Sequence, residues 1–299
     1  MTTWNKYKVE KKQIYTGGTW VDSVPLETRT GEKIGEYDSF LECMNNTYSD
    51  KYLSFVALED TAFSFSATNP TDQYVEYSLD SGTTWVTMYS GETTPTISAG
   101  NSVLWRGDLV INGIIQRPLG NFTSTGRFNV EGNAMSLLYG DNFEGQELTN
   151  TKKLSGIFAG TKVVDAGNLV LPSTNLIRSC YTEMFSNCAS LTTAPKLPAT
   201  TLANYCYNSM FMRCTSLTTA PELPATTLNE WCYYQMFFGC INLNYIKMLA
   251  TDISAYQCLT DWVYGVSSTG TFVKNSAASW DASGYNGVPN NWTIQTASS

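Results

Sequence analysis

"CYTEMFSNCASLTTAPKLPATTLANY", Cys180 to Tyr205, runs without a gap into "CYNSMFMRCTSLTTAPELPATTLNEW", Cys206 to Trp231, and the two words share 17 of 26 positions. No other feature constrains the fold as much. A unit this short cannot bury its apolar side alone, so each copy must stack on the next and share a continuous core with it. A third word, "CYYQMFFGCINLNYIKMLATDISAYQ" (Cys232 to Gln257), keeps Cys232, Tyr233, Met236, Phe237, Cys240, Leu243 and Leu249 but loses both prolines. Upstream, "LSGIFAGTKVVDAGNLVLPSTNLIRS" keeps Phe158, Val164, Leu171, Pro172 and Leu176 with one residue of slip. The array therefore has about four turns, over residues 154 to 258, and decays toward both ends as capped stacks do.

Within one word, Tyr, Met and Phe cluster before the second cysteine, which predicts a short helical or 3₁₀ stretch. "SLTTAP" then predicts an extended segment. The prolines of "APELPATT" forbid a helix there, so each turn alternates compact and extended pieces. Seven of the eight cysteines fall into two columns, Cys180, Cys206, Cys232 and Cys258, then Cys188, Cys214 and Cys240. Stacking lines each column through the core, where a small apolar thiol fits. Zinc needs thiols that converge on one point, and seven intervening residues repeated along a stack do not converge. A catalytic cysteine lacks its usual base, since the chain contains no histidine.

The absence of histidine also removes Ser-His dyads and imidazole zinc sites. A net charge of −8 repels a phosphate backbone, which argues against nucleic acid as a partner. No apolar run is long enough to insert in a membrane, and the polar start "MTTWNKYKVEKKQIYTGG" has no secretory core. No cofactor, metal or catalytic constellation is expected.

Residues 51 to 133 read as a β-sandwich, with "YVEYSLDSGTTWVTMYSG" alternating around a turn at Asp80, Ser81 and Gly82. "SLDSGTTW", Ser78 to Trp85, matches the Asp-box pattern of sialidases and other β-proteins, where Asp and Gly shape a hairpin above the Trp. That role is structural. Sialidase chemistry would need clustered arginines, and Arg29, Arg106, Arg117, Arg127, Arg178 and Arg213 are scattered. "WRGDLV" holds Arg106-Gly107-Asp108, an accidental integrin tripeptide on this reading. Residues 1 to 50 read as a small β unit with "QIYTGGTWV" as a hairpin.

Positions that vary on a held frame are the candidate contact surface. They are Asn208 and Tyr234 in one column, Met212 and Phe238 in another, Arg213 in a third, and Tyr205 and Trp231 before the next cysteine.

The words "MFxxCxSLTTAPxLPATTL", at Met184 to Leu202 and Met210 to Leu228, resemble the BspA-like leucine-rich repeats of Bacteroidetes surface proteins, and 26 residues falls within the leucine-rich-repeat period. The wider layout is similar to proteins of gut Bacteroidetes and their crAss-like phages. The resemblance implies a mainly β chain in three parts: an N-terminal β docking unit (1–50), an Ig-like β-sandwich (51–133) and a capped α/β leucine-rich-repeat solenoid (134–299). It implies adhesion or virion architecture rather than catalysis. Lacking a leader or anchoring tail, the chain is expected to be a phage virion protein, a head or tail fibre or capsid decoration. It would fold in the host cytoplasm, dock on other virion proteins through its N-terminal unit and form a homo-oligomer. Its outward partner would be a host surface glycan or protein. The alternatives are a bacterial cell-surface adhesin with the same repeats and a glycan-active β-sandwich enzyme.

Overall fold

The computed structural model describes residues 13–16, 19–22, 48, 50–67, 73–108, 120–149 and 153–297. The chain forms two compact units, Met1–Asn46 and Thr47–Ser299. In the first, β1 (Gln13–Thr16) and β2 (Thr19–Asp22) pair antiparallel, with Thr16 opposite Thr19, as the hairpin expectation requires. Apart from Tyr48 and Asp50, the remainder of the expected docking unit, with Cys43, lies outside the described residues.

The second unit is mainly β, without a closed barrel. Strands β3 (Leu53–Ala57), β4 (Phe63–Ala67), β5 (Tyr74–Ser78), β6 (Val86–Tyr89), β7 (Ser102–Gly107), β8 (Gly120–Ser124), β9 (Phe128–Asn133) and β10 (Val163–Val170) build two sheets. One is six-stranded in the order β10-β9-β3-β7-β5-β6, and the other pairs β4 with β8. Period-two alternation explains which side chains go inside: Phe63 and Phe65 of β4, Val103 and Trp105 of β7, and Phe128 and Val130 of β9 are buried. Phe55 lies at the centre, with ring centroids of Phe63, Trp105, Phe122 and Phe128 4.9 to 5.2 Å away.

β10 belongs to the first turn of the array yet pairs parallel with β9, so the sheet and the repeats share a strand boundary. The core is likewise continuous. Phe122 stacks on Phe158 at 6.3 Å, Phe158 on Phe185 at 5.2 Å, Phe185 on Phe211 at 5.7 Å and Phe211 on Phe237 at 5.7 Å. A second file, Tyr181, Tyr207 and Tyr233, runs beside it. The repeat thus acts on packing directly: one ring per period gives one rung per turn.

The compact piece of each repeat is neither the α-helix nor the continuous 3₁₀ stretch that the sequence predicts, although it keeps the i→i+3 bonds of the latter. It is a series of turns in which every second N–H crosses to the next repeat and the residues between close local i→i+3 bonds. Tyr181, Glu183, Phe185 and Asn187 donate to the carbonyls of Cys206, Asn208, Met210 and Met212 at 2.7 to 3.0 Å, while Met184, Ser186 and Cys188 donate to Tyr181, Glu183 and Phe185. Every fourth residue takes positive φ: Ser179, Glu183 and Asn187, then Tyr205, Ser209 and Arg213, Trp231, Gln235 and Gly239, and Gln257, Asp261 and Gly265. A helix cannot contain such residues, and crossing bonds satisfy the N–H groups that a helix would have used internally. The extended pieces carry parallel bridges such as Asp165 to Thr193 and Thr219 to Tyr245, rather than long strands.

The last turns close on a parallel sheet of β11 (Tyr245–Met248), β12 (Thr271–Lys274) and β13 (Thr293–Thr296). Three indole N–H groups tie it down: Trp262 donates to Gly287 O at 2.9 Å, Trp280 to Ala250 O at 2.8 Å and Trp292 to Ser267 O at 2.8 Å.

Candidate functional site

The turn series sorts large side chains two in, two out, while the small Ser186 and Ser209 are buried at outward positions. In the second repeat Cys206, Tyr207, Met210, Phe211 and Cys214 are buried, whereas Tyr205, Asn208, Met212 and Arg213 face outward. The next repeat puts Cys232, Tyr233, Met236, Phe237 and Cys240 inside and Trp231, Tyr234 and Phe238 outside. All seven candidate contact residues therefore point away from the core. Arg213 is exposed, and the other six are half-buried by their neighbours in the row.

Rings on this face contact one another across repeats. Tyr205 stacks on Trp231 at 5.5 Å with planes 9° apart, and Trp231 meets Tyr234 at 4.9 Å and Tyr256 at 5.7 Å. Further along, Phe238 stacks on Tyr264 at 4.9 Å, and Tyr264 meets Tyr285 at 4.6 Å. Tyr256, Tyr264 and Tyr285, which sequence reasoning missed, are its most exposed rings at 62%, 43% and 56%. Their signal was the frame itself: counting 26 residues on from Phe238 and Gly239 reaches Tyr264 and Gly265, one turn past the last recognisable word.

Three candidates occupy strained backbone. Tyr205, Trp231 and Arg213 have φ of 62°, 58° and 59°, a conformation costing a non-glycine residue about 1–2 kcal/mol. Glycine serves at the corner equivalent to Arg213 in the next two repeats, Gly239 and Gly265. The frame does not ask for a long cationic or aromatic side chain at these corners.

The thiols carry no chemistry of this kind. Seven are free and buried. Cys188 donates to Phe158 O at 3.0 Å, Cys214 to Phe185 O at 3.1 Å and Cys240 to Phe211 O at 3.0 Å, each to a carbonyl of the preceding repeat. Burial pushes Cys180, Cys188, Cys232 and Cys240 up to about 12, so the nucleophilic thiolate is absent at neutral pH. Among the described residues no group of His, Cys, Asp or Glu could hold a metal ion.

In the sheet domain the Asp-box geometry is complete. Ser78 Oγ donates to Asp80 Oδ1 at 2.7 Å and accepts from the Gly82 N–H, while Asp80 also accepts from the Thr84 N–H and hydroxyl. The Thr84 bonds lead in holding the Asp80 carboxyl down at about 2. Gly82, at φ 86°, supplies the turn, and Trp85 packs on Tyr52 at 4.9 Å. Arg106, the first residue of the RGD triplet, lies 4.2 Å over Trp85 and pairs with Glu76 and Asp141 at 2.7 and 2.6 Å. That guanidinium is committed to cross-linking β5, β7 and the turn at Asp141. Arg127 pairs with Glu59, and Arg178 lies over Tyr205, so the described arginines do not converge on one carboxylate site.

No protein-family model, curated protein or solved structure matches the chain.

Proposed function

We propose that the protein is a non-enzymatic virion component of a Bacteroidetes phage, a fibre or decoration protein that presents a BspA-like leucine-rich-repeat solenoid for attachment to the host surface. In this reading the Ig-like sandwich caps and carries the solenoid, and the N-terminal unit docks on the particle. Docked copies form a symmetric oligomer and multiply weak contacts by number.

The observation that carries the reading is the outward row. Arg213 sits at a positive-φ corner that Gly239 and Gly265 fill in the next two repeats, and Tyr205 and Trp231 sit at one that Ser179 and Gln257 fill elsewhere, so the frame itself does not call for these side chains, which supports a role in contact. The interior supports the same view, because its thiols act as small apolar rungs with protonated sulfur.

Mass spectrometry of density-purified particles from an infected Bacteroidetes culture tests the assignment. Peptides spanning the repeats are expected in intact virions. Their recovery from host outer-membrane fractions, with none in particles, would replace the virion reading with that of a cell-surface adhesin.

A further inference from the structure

The stack of repeats ends on β13, an edge strand with no further strand beyond it among the described residues. β11, β12 and β13 lie in parallel register, so Ile246, Phe272 and Ile294 form one column on the same side of the sheet. Ile246 and Phe272 are fully buried, because each has a following rung to cover it, whereas Ile294 is 54% exposed. All of β13, Thr293 to Thr296, is exposed. The apolar column that fills the stack therefore breaks off uncovered, where stacked repeats ordinarily end in a polar cap.

The backbone of β13 is open in the same direction. Thr293 and Ala297 donate their N–H groups to Gly270 O at 2.9 Å and Lys274 O at 2.8 Å. The period of two turns Gln295 toward β12 with them, and turns Ile294 and Thr296 the other way. The N–H and C=O groups of those two residues face no partner strand among the described residues. Sheet edges are ordinarily blunted by a charge, a proline, a bulge or a cover. On edge strand β6 the Tyr89 N–H is taken by the Glu92 carboxylate at 2.7 Å, which sets a charge on that edge. The sequence of β13, "TIQT", carries no such device, and no side chain from Ala282 to Ser299 is charged. In a chain of net charge −8, this end can meet its own copy without like-charge repulsion between side chains.

We infer that β13 is an interface between two copies of this chain, which pair antiparallel through it about a two-fold axis and join their sheets into one. A strand paired with itself is self-complementary, as a two-fold interface must be. Setting Ile294 opposite Thr296 of the second copy engages every outward N–H and C=O of the strand. It also gives Ile294 a neighbour on its open side. In that register Gln295 faces its own counterpart across the axis, in a non-hydrogen-bonded pair with Cα atoms about 4.5 Å apart. The inference goes beyond the proposed function, which assigns no surface to the contact between copies, and it rests on this edge alone.

Sedimentation velocity of the full-length protein, from low to high micromolar concentration, tests this. A reversible shift from monomer to dimer is expected. Thr296→Pro removes only an outward N–H, and Ile294→Lys sets a charge on the edge, so each should weaken association by about 10-fold or more. Both should melt with the parent at low concentration, whereas Gln295→Pro, which takes a bond from β12, should melt lower. In a Cys43→Ser background, Gln295→Cys should give a disulfide-linked dimer on mild oxidation, because the expected separation lies within disulfide range. Thr87→Cys, on exposed β6, should not. A monomer at every concentration overturns the interface, whether the edge stays bare or the chain's own N-terminal unit covers it. Association that survives both Thr296→Pro and Ile294→Lys overturns it too, as does cross-linking of Thr87→Cys as readily as of Gln295→Cys. If Thr296→Pro fails to fold, Ile294→Lys and the cross-link decide.

Discussion

Phe237 and Phe238 are adjacent, identical in type and assigned to opposite sides of the same turn series. Phe237 is fully buried, parallel to Phe211 at 5.7 Å and against Trp262 at 6.1 Å. Phe238 is half-buried and faces outward, stacked on Tyr264 at 4.9 Å. Truncating a buried Phe to Ala costs about 3–5 kcal/mol through lost transfer free energy and the cavity left behind. For Phe237→Ala we expect about 4 kcal/mol, because rings on both sides hold the cavity open. Phe238→Ala loses only part of one ring's burial and one stacking contact, about 1 kcal/mol. With a urea m-value of about 3 kcal/mol/M, the two midpoints should differ by about 1 M. The assay is urea unfolding followed by far-ultraviolet circular dichroism and tryptophan fluorescence, with m held common. Equal midpoints, or a larger loss for Phe238→Ala, would refute the two-in, two-out assignment and with it the identity of the outward face.

Other outcomes follow from the same geometry. Ellman reagent should find at most Cys43 in native protein, because the other seven thiols are buried, and all eight after denaturation without reductant. Arg213→Gly should leave stability unchanged or raise it by up to about 1 kcal/mol, the reverse of glycine's usual effect, since φ is 59° there; chemical denaturation reads this directly. Asp80 titrates near 2 when folded against an ordinary 3.8, so its contribution is present above pH 4 and fades as the pH falls from there through 2. Acid unfolding of Asp80→Asn should lack that part of the slope. Burial raises the Cys188 and Cys240 thiols from 9.0 to about 12 and pushes Cys214 in the same direction, so their contribution to stability is full below pH 9 and falls as the pH rises toward 12. Replacing Cys188, Cys214 and Cys240 together by alanine should flatten that alkaline limb.

Much of this molecule is legible in the sequence because its repeat is a packing rule. Identical spacing of Phe185, Phe211 and Phe237, and of the cysteine columns, becomes a file of rungs whatever the local conformation. "SLDSGTTW" was legible for a different reason, since each polar atom in it closes a local bond. The turn series was not. Positive φ is usually announced by Gly or Asn, and here Tyr205, Trp231 and Gln235 occupy it, so apolar clustering reads as a helix. The far end of the array was hidden as well, because Trp262 replaces a Met, Val263 replaces a Phe and the last thiol of the second column gives way to Val266, although the backbone frame continues. Once a repeat loses its words, only the crossing hydrogen bonds identify equivalent positions.

On the proposed function the outward row, and not the thiol interior, meets the host. The most direct test is binding of the fluorescently labelled, multivalently displayed full-length protein to a panel of gut Bacteroidetes strains, comparing the parent with Trp231→Ala/Tyr256→Ala and with Thr192→Ala/Thr218→Ala on the exposed extended segments. Saturable binding to at least one strain is expected, lost at least 10-fold in the aromatic pair and retained in the threonine pair. Retention of binding in the aromatic pair, or equal loss in both, would contradict it.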